Sequence, residues 1–189
     1  MTKIAVWCRH DGDNIIGIGP QIPWHIPSDF RRFRKITEGE NLVVGEKTYD
    51  SFPNRTLPNR NIHILTLNPD YEVSDKDRHF IYNSIDDFKE FEQDLYICGG
   101  ATIYKLFMTS GNKLMPDIIV DSKYCGEVDK LEGQKIDITP CIEAMEKNYR
   151  KVSPDYEQEN VFTSLWIKKG DFVEQNVLKK LINIISINS

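Results

Sequence analysis

Five short apolar runs, separated by stretches of helical character, limit the folds open to this chain. Ile4-Ala5-Val6-Trp7-Cys8 is the first; Asn41-Leu42-Val43-Val44-Gly45, Ile62-His63-Ile64-Leu65-Thr66, Leu95-Tyr96-Ile97-Cys98 and Ile118-Ile119-Val120 repeat it. Runs of this length without polar alternation read as strands buried on both faces. Between them the sequence predicts helices from Pro27 to Thr37 and from Ala101 to Thr109, a short helical turn from Lys47 to Phe52, and a helix over Ser84 to Glu92 opened by a Ser-x-x-Asp capping box. Strand and helix alternate, which predicts an α/β domain with a largely parallel central sheet flanked by helices on both faces. After Val120 the rhythm changes. Tyr149-Arg150-Lys151-Val152 and the stretch from Asn160 to Ile167 read as antiparallel strands, forming a hairpin that closes the C-terminal edge of the sheet.

With 189 residues and 22.0 kDa the chain can bury one substantial core but not two ordinary ones. From Asp171 to Ser189, Val173, Val177, Leu178, Leu181, Ile182 and Ile185, with the Lys179-Lys180 pair, suit an amphipathic helix. Such a helix either docks on its own domain or makes a subunit contact. The organisation expected is a domain over residues 1–169 with a helical extension over 170–189, monomeric unless the tail self-associates. A net charge of -5 leaves no electrostatic footprint for nucleic acid, and a small anion suits the chain better. The N-terminus has no basic leader and nothing approaches a membrane span, so a cytoplasmic protein is expected. Cys8, Cys98, Cys125 and Cys141 are far apart, as are the four histidines, and no metal site is expected.

The chemistry concentrates in Ile22-Pro23-Trp24-His25-Ile26-Pro27-Ser28-Asp29-Phe30-Arg31-Arg32-Phe33. Pro23 and Pro27 stiffen the approach, and Pro27 starts a helix. Asp29 and Phe33 then share a face with Phe30 at its shoulder, while Arg31, Arg32 and Lys35 are expected to point elsewhere. Desolvation beside two aromatic rings would raise the Asp29 pKa and make it a proton donor or hydrogen-bond anchor. An acid in a first turn also complements the helix dipole and satisfies backbone donors, and the spacing alone leaves both readings open.

Two strand-to-helix junctions suit phosphate. Cys98-Gly99-Gly100-Ala101 follows one strand, and its glycines allow either close approach of backbone N–H groups to an anion or merely a tight turn. Val44-Gly45-Glu46-Lys47-Thr48-Tyr49 follows another, with Lys47 and Thr48 placed for phosphate oxygens. Together they suggest a dinucleotide pyrophosphate lying across a parallel sheet, although GxGxxG is absent. In Leu57-Pro58-Asn59-Arg60 the arginine is either a carboxylate clamp or a solvated turn residue.

In this order the pieces resemble the dihydrofolate reductase family. The matching strings are Ile16-Gly17-Ile18-Gly19, Ile22-Pro23-Trp24 through Phe33, Val44-Gly45 to Ser51-Phe52, Leu57-Pro58-Asn59-Arg60, and Ile97-Cys98-Gly99-Gly100 to Tyr104, spanning most of the first two thirds of the chain. The resemblance implies NADPH-dependent reduction of dihydrofolate, with hydride passing to pterin C6. It implies that Asp29 anchors the pterin N3 and 2-amino group and supports N5 protonation, and that Trp24 fixes water and the pocket wall. Ser122 would stand behind Asp29, and Ile4, Ala5, Phe30, Phe33, Phe52 and Leu57 would line the substrate cleft, with Arg60 on the glutamate carboxylate. Cofactor contacts would come from Val6, Ile16, Gly17, Ile22, Gly45, Glu46, Lys47, Thr48, Thr66, Cys98, Gly99, Gly100, Ala101, Thr102, Ile103 and Tyr104. Ile15 to Ile22 would be a mobile loop closing over the nicotinamide.

The chain departs from the family at two cofactor positions. Glu46 stands where the family usually has a base near the 2′-phosphate, and Thr102 where another base is common. A carboxylate beside a phosphate is repulsive, so Lys47 would have to compensate. The related pyrimidine reductase of riboflavin synthesis shares the implied fold and cofactor site, but the Asp29-Phe30-Phe33 face and Arg60 suit a pterin with a benzoyl-glutamate tail. A non-catalytic folate-binding or structural module is the reading from another class, and the retained acid Asp29 argues against it.

Overall fold

The computed structural model describes residues 1–109, 111 and 113–187. The chain runs β1 (Lys3–His10), β2 (Ile15–Ile18), α1 (Pro27–Thr37), β3 (Asn41–Gly45), α2 (Glu46–Asp50), β4 (Asn61–Leu65), β5 (His79–Tyr82), β6 (Leu95–Ile97), α3 (Ala101–Thr109), β7 (Ile118–Tyr124), β8 (Lys135–Asp137), α4 (Thr139–Asn148), β9 (Tyr149–Lys151), β10 (Tyr156–Gln158), β11 (Val161–Lys168) and α5 (Gln175–Ser186). The stretch expected as a helix from Ser84 is a 3-10 segment, Ile85–Glu90. Its capping box is in place: the Ser84 hydroxyl accepts from Asp86 N, and the Asp87 carboxylate accepts from Ser84 N.

The main sheet has the order β10-β11-β7-β1-β6-β3-β4-β5, with β9 also paired to β11. From β7 to β5 all neighbours are parallel, and β11, β9 and β10 add the antiparallel edge. β1 lies inside this sheet, and alternate side chains feed opposite cores. Ala5 and Trp7 join Ile97, Ile103, Phe107 and Ile142 beneath α3 and α4, while Ile4 and Val6 join Ile36, Leu42, Val120 and Leu165 beneath α1 and α5.

This arrangement places the site. The helix after β1 lies on one face of the sheet and the helix after β6 on the other, so the two chains diverge at the C-terminal ends of adjacent parallel strands. In open α/β sheets ligands bind at such a divergence.

Several elements were not apparent in the sequence. β7 continues four residues beyond Val120 because Asp121 and Ser122, polar but buried, find partners in Trp7 and Arg9 and in Thr163. The Ile15 to Ile22 stretch contains β2, which pairs with β8 through a register shift between Ile15 and Gly17. Gly19, at φ 57°, makes the turn that follows and donates its N–H to Gln134 O at 2.9 Å. The tail helix α5 packs on its own chain beside α1. Val173, Leu181 and Ile185 are buried there, and Lys180 forms an ion pair with Glu40.

Candidate active site

Asp29 lies in the first turn of α1, behind Pro27, and the N-cap residue, Ile26, supplies no side-chain cap. The Asp29 carboxylate is turned into the sheet instead. The Cys8 thiol, on the C-terminal half of β1, donates a hydrogen bond to it, and Arg32 Nη1 lies 3.3 Å from Oδ1. Burial lifts the Asp29 pKa above that of an ordinary aspartate, and the Arg32 charge, the thiol hydrogen bond and the Arg32 hydrogen bond pull the other way. The side chain is a fifth exposed, and its partners are Cys8 and Arg32 rather than backbone donors of the helix start.

Arg32 overturns an expectation. It does not point away from Asp29: the residue is 6% exposed, and its guanidinium is divided between Asp29 and Gln158 Oε1, 3.4 Å away on β10. The i,i+3 spacing makes the contact possible, and burial of the aliphatic stem favours it.

The aromatic face forms largely as expected. Phe33 is half-buried against the α1-side core, while Phe30 is 43% exposed and packs on the His25 ring at 5.5 Å. Trp24 is buried with its ring 5.3 Å from Tyr124. Phe52 and Leu57 are half-buried on the same side of the sheet as Phe33. Ser122 lies opposite Cys8 in the β1–β7 register and hydrogen-bonds Thr163 at 2.9 Å. Ile4 and Ala5, expected in the cleft, lie in the sheet at 0% and 1% exposure. The β1 side chain that meets the acid is Cys8, four residues beyond Ile4.

The two glycine junctions also meet at this edge of the sheet. β3 and β6 are adjacent and parallel, which brings the starts of α2 and α3 to the same edge. Gly45 N donates to Gly99 O at 2.8 Å. A Cβ on Gly100 would come within 3.2 Å of Thr48 Oγ1, and one on Gly99, at φ 102°, within 3.0 Å of the Tyr104 ring. Only glycine leaves this backbone open for the close approach of an extended anion. Ala101 and Thr102 open α3 directly behind it. Tyr104 donates its hydroxyl to Val6 O at 2.6 Å, and Ile103 is buried against Gly45. Glu46 is held by Thr66, whose hydroxyl donates to Oε2 at 2.6 Å, while Lys47 is exposed. Ile16 packs at the margin of the α3-side core, and Ile22 is 51% exposed.

Arg60 is neither solvated nor a free clamp. It is 4% exposed and donates to Arg34 O at 2.7 Å, to Pro58 O at 2.5 Å and to Thr37 Oγ1, tying the end of α1 to the turn before β4.

Asp29, meeting the end of β1, and the glycine junctions after β3 and β6 stand at the same edge of the sheet, and the model of the dihydrofolate reductase family matches residues 3–135, which contain both. The chain belongs to the dihydrofolate reductase family. Among curated relatives, the dihydrofolate reductase of Enterococcus faecium is 30% identical over 128 residues, covering 66% of this chain and 74% of that protein. That of Staphylococcus aureus is 29% identical over 124 residues, covering 66% and 75%. Among solved structures, the dihydrofolate reductase of Enterococcus faecalis complexed with NADP(H) and RAB-propyl superposes with a TM-score of 0.70 at 22% identity, covering 89% of this chain and 96% of that one.

Within this reductase, sequence reasoning missed Cys8, Arg32 and Gln158. The alternation Ile4, Val6, Cys8 along one face of β1 carried a signal for the first, because the face that packs under α1 continues to the strand end. Gln158 lies outside the matched residues and carried none. Among the described residues no cluster suits a metal ion, and no helix is long and apolar enough to cross a membrane.

Proposed function

We infer that the protein reduces 7,8-dihydrofolate to 5,6,7,8-tetrahydrofolate with NADPH, the reaction of its family. NADPH supplies the hydride, which goes to pterin C6, and a proton goes to N5, leaving NADP+. The observation that carries the residue assignment is the Asp29 carboxylate, mostly withdrawn from solvent where it meets Cys8 of β1 and Arg32, with its pKa raised by burial.

Asp29 is the pterin anchor in this reading, accepting from N3 and the 2-amino group and serving the N5 proton. Trp24, packed on Tyr124, walls the pocket and holds water for that proton. Phe30, Phe33, Phe52 and Leu57 exclude solvent from the ring system. Gly45, Thr48, Gly99 and Gly100 would hold the cofactor pyrophosphate, and the glycine surfaces that a Cβ would fill support this fit. Arg60 keeps its role on the glutamate carboxylate only through N–H groups not already directed at Pro58, Arg34 and Thr37. We further read residues 170–189 as an extension docked on a single catalytic domain, monomeric and cytoplasmic.

The test is loss of nicotinamide absorbance when dihydrofolate is added to the purified chain with NADPH. Asp29→Asn should lower turnover at least about tenfold with the fold intact. A wild-type protein that binds folate without turnover would move the assignment to a binding module.

A further inference from the structure

Two donors grip the Asp29 carboxylate, and one is a buried cation on its own helix. We propose that Arg32, braced by Gln158 on β10, is a positioning residue that fixes Asp29 Oδ1 in the cleft and sets the pH range over which this carboxylate works. The proposal rests on the assignment of Asp29 as the pterin anchor.

The geometry is that of a braced counter-ion. Arg32 reaches Asp29 Oδ1 at 3.3 Å with Nη1 and Gln158 Oε1 at 3.4 Å with Nη2, and its side chain is 5% exposed. A guanidinium keeps its charge under all working conditions, so burying it demands a partner, and the carboxylate one turn away provides one. The tip of the β10–β11 hairpin also grips the helix start, because Glu159 Oε2 accepts from Ser28 N at 2.9 Å. Arg32 is therefore held between the helix that carries the acid and the strand that closes the sheet.

No other cation reaches Asp29 among the described residues. From β1 it meets the Cys8 thiol, which donates a hydrogen bond; from α3 the Tyr104 hydroxyl interacts with it electrostatically, its proton directed to Val6 O. On β7, Asp121 lies on the opposite face of the sheet, paired with Arg9 at 2.9 Å. Glu159 is satisfied by Ser28, and His25 packs on Phe30. Burial drives the Asp29 proton affinity up, and Arg32 is the largest influence driving it down. An opposite charge at this range shifts a carboxylate by roughly one to three pH units. With a fifth of the Asp29 side chain exposed, the lower end of that range applies.

The experiment is a carboxyl-carbon NMR titration of Asp29 in the ligand-free full chain, for wild type, Arg32→Lys and Arg32→Gln. Arg32→Gln should raise the midpoint by about one pH unit, a tenfold change in the protonated fraction, and Arg32→Lys should restore it to within about half a unit. The pH profile of dihydrofolate reduction should move upward with it. Gln158→Leu, which keeps the cation but removes its brace, should raise the midpoint by a smaller amount and is the reporter if Arg32→Gln does not fold by circular dichroism. An unchanged or lowered midpoint in the folded variants overturns the proposal. If the wild type fails to reduce dihydrofolate while the midpoints move as stated, the functional assignment falls and the counter-ion role stands.

Discussion

Replacing Gly99 with alanine tests the cofactor cradle and the packing beneath it together. Gly99 has φ 102°, a region L residues enter at a cost of about 1–3 kcal/mol. The new Cβ would stand 3.0 Å from Tyr104 Cε2 and 3.1 Å from Cζ and Oη. That ring has no free direction to move: it is 5% exposed, its hydroxyl is bonded to Val6 O at 2.6 Å, and its edge meets Trp7 at 5.3 Å. Overpacking of this kind costs about 1–3 kcal/mol more, so the total loss is about 2–6 kcal/mol out of the 5–15 or so that hold an ordinary domain. Because Gly99 O also accepts from Gly45 N, displacement of this residue would carry the start of α2 with it and weaken NADPH binding. Urea unfolding followed by circular dichroism measures the first effect, and quenching of tryptophan fluorescence by NADPH the second. Adding Tyr104→Leu removes the ring but leaves φ strained, so the double-mutant cycle should return a favourable coupling of about 1–3 kcal/mol. If Gly99→Ala unfolds within about 0.5 kcal/mol of wild type and binds NADPH equally well, the cradle argument is wrong.

Two further outcomes are expected. Burial holds the His63 pKa down at about 4, so the native state keeps it neutral where the unfolded chain takes up a proton. Its contribution is full above about pH 6.5 and is lost as pH falls to about 4, amounting to about 3 kcal/mol; a His63→Leu variant whose stability falls as steeply as wild type over that window would contradict this. Glu46 is fixed by Thr66 at the ends of β3 and β4, and the family resemblance implies that it stands near the cofactor's 2′-phosphate. Glu46→Gln should lower the KM for NADPH about fivefold and leave that for NADH unchanged, a difference of about 1 kcal/mol; equal changes for both cofactors would remove Glu46 from the phosphate.

The parts of the fold legible in the sequence are those where burial is uniform or periodic over many residues. β3, α1 and α3 begin and end where the apolar runs, Pro27 and Gly100 placed them. Elements lost were those with weak local signals. β5 is an edge strand whose Phe80 and Ile81 stay partly exposed, and β2, β8 and β10 have only three or four residues each. α4 did carry a period, with Cys141, Ile142 and Met145 on one buried face behind Thr139-Pro140, but it lies where the strand-helix alternation had already broken.

At the site the acid was legible and its partners were not, for a physical reason. Asp29 stands out because Pro23, Pro27 and the aromatic residues are all within a few positions of it. Cys8, Gln158 and Glu159 reach the same helix turn from β1 and from the far edge of the sheet, across separations that no local pattern records. Arg32 is the instructive case, since it is local. A helical wheel puts i+3 beside i as readily as i+4, so spacing allowed both an exposed arginine and a buried one. The choice between them was made by β10, whose Gln158 offers a second acceptor and whose neighbour Glu159 closes over the start of α1. In the proposed assignment the counter-ion beside Asp29 is Arg32, and its brace, Gln158, comes from a strand outside the matched residues 3–135.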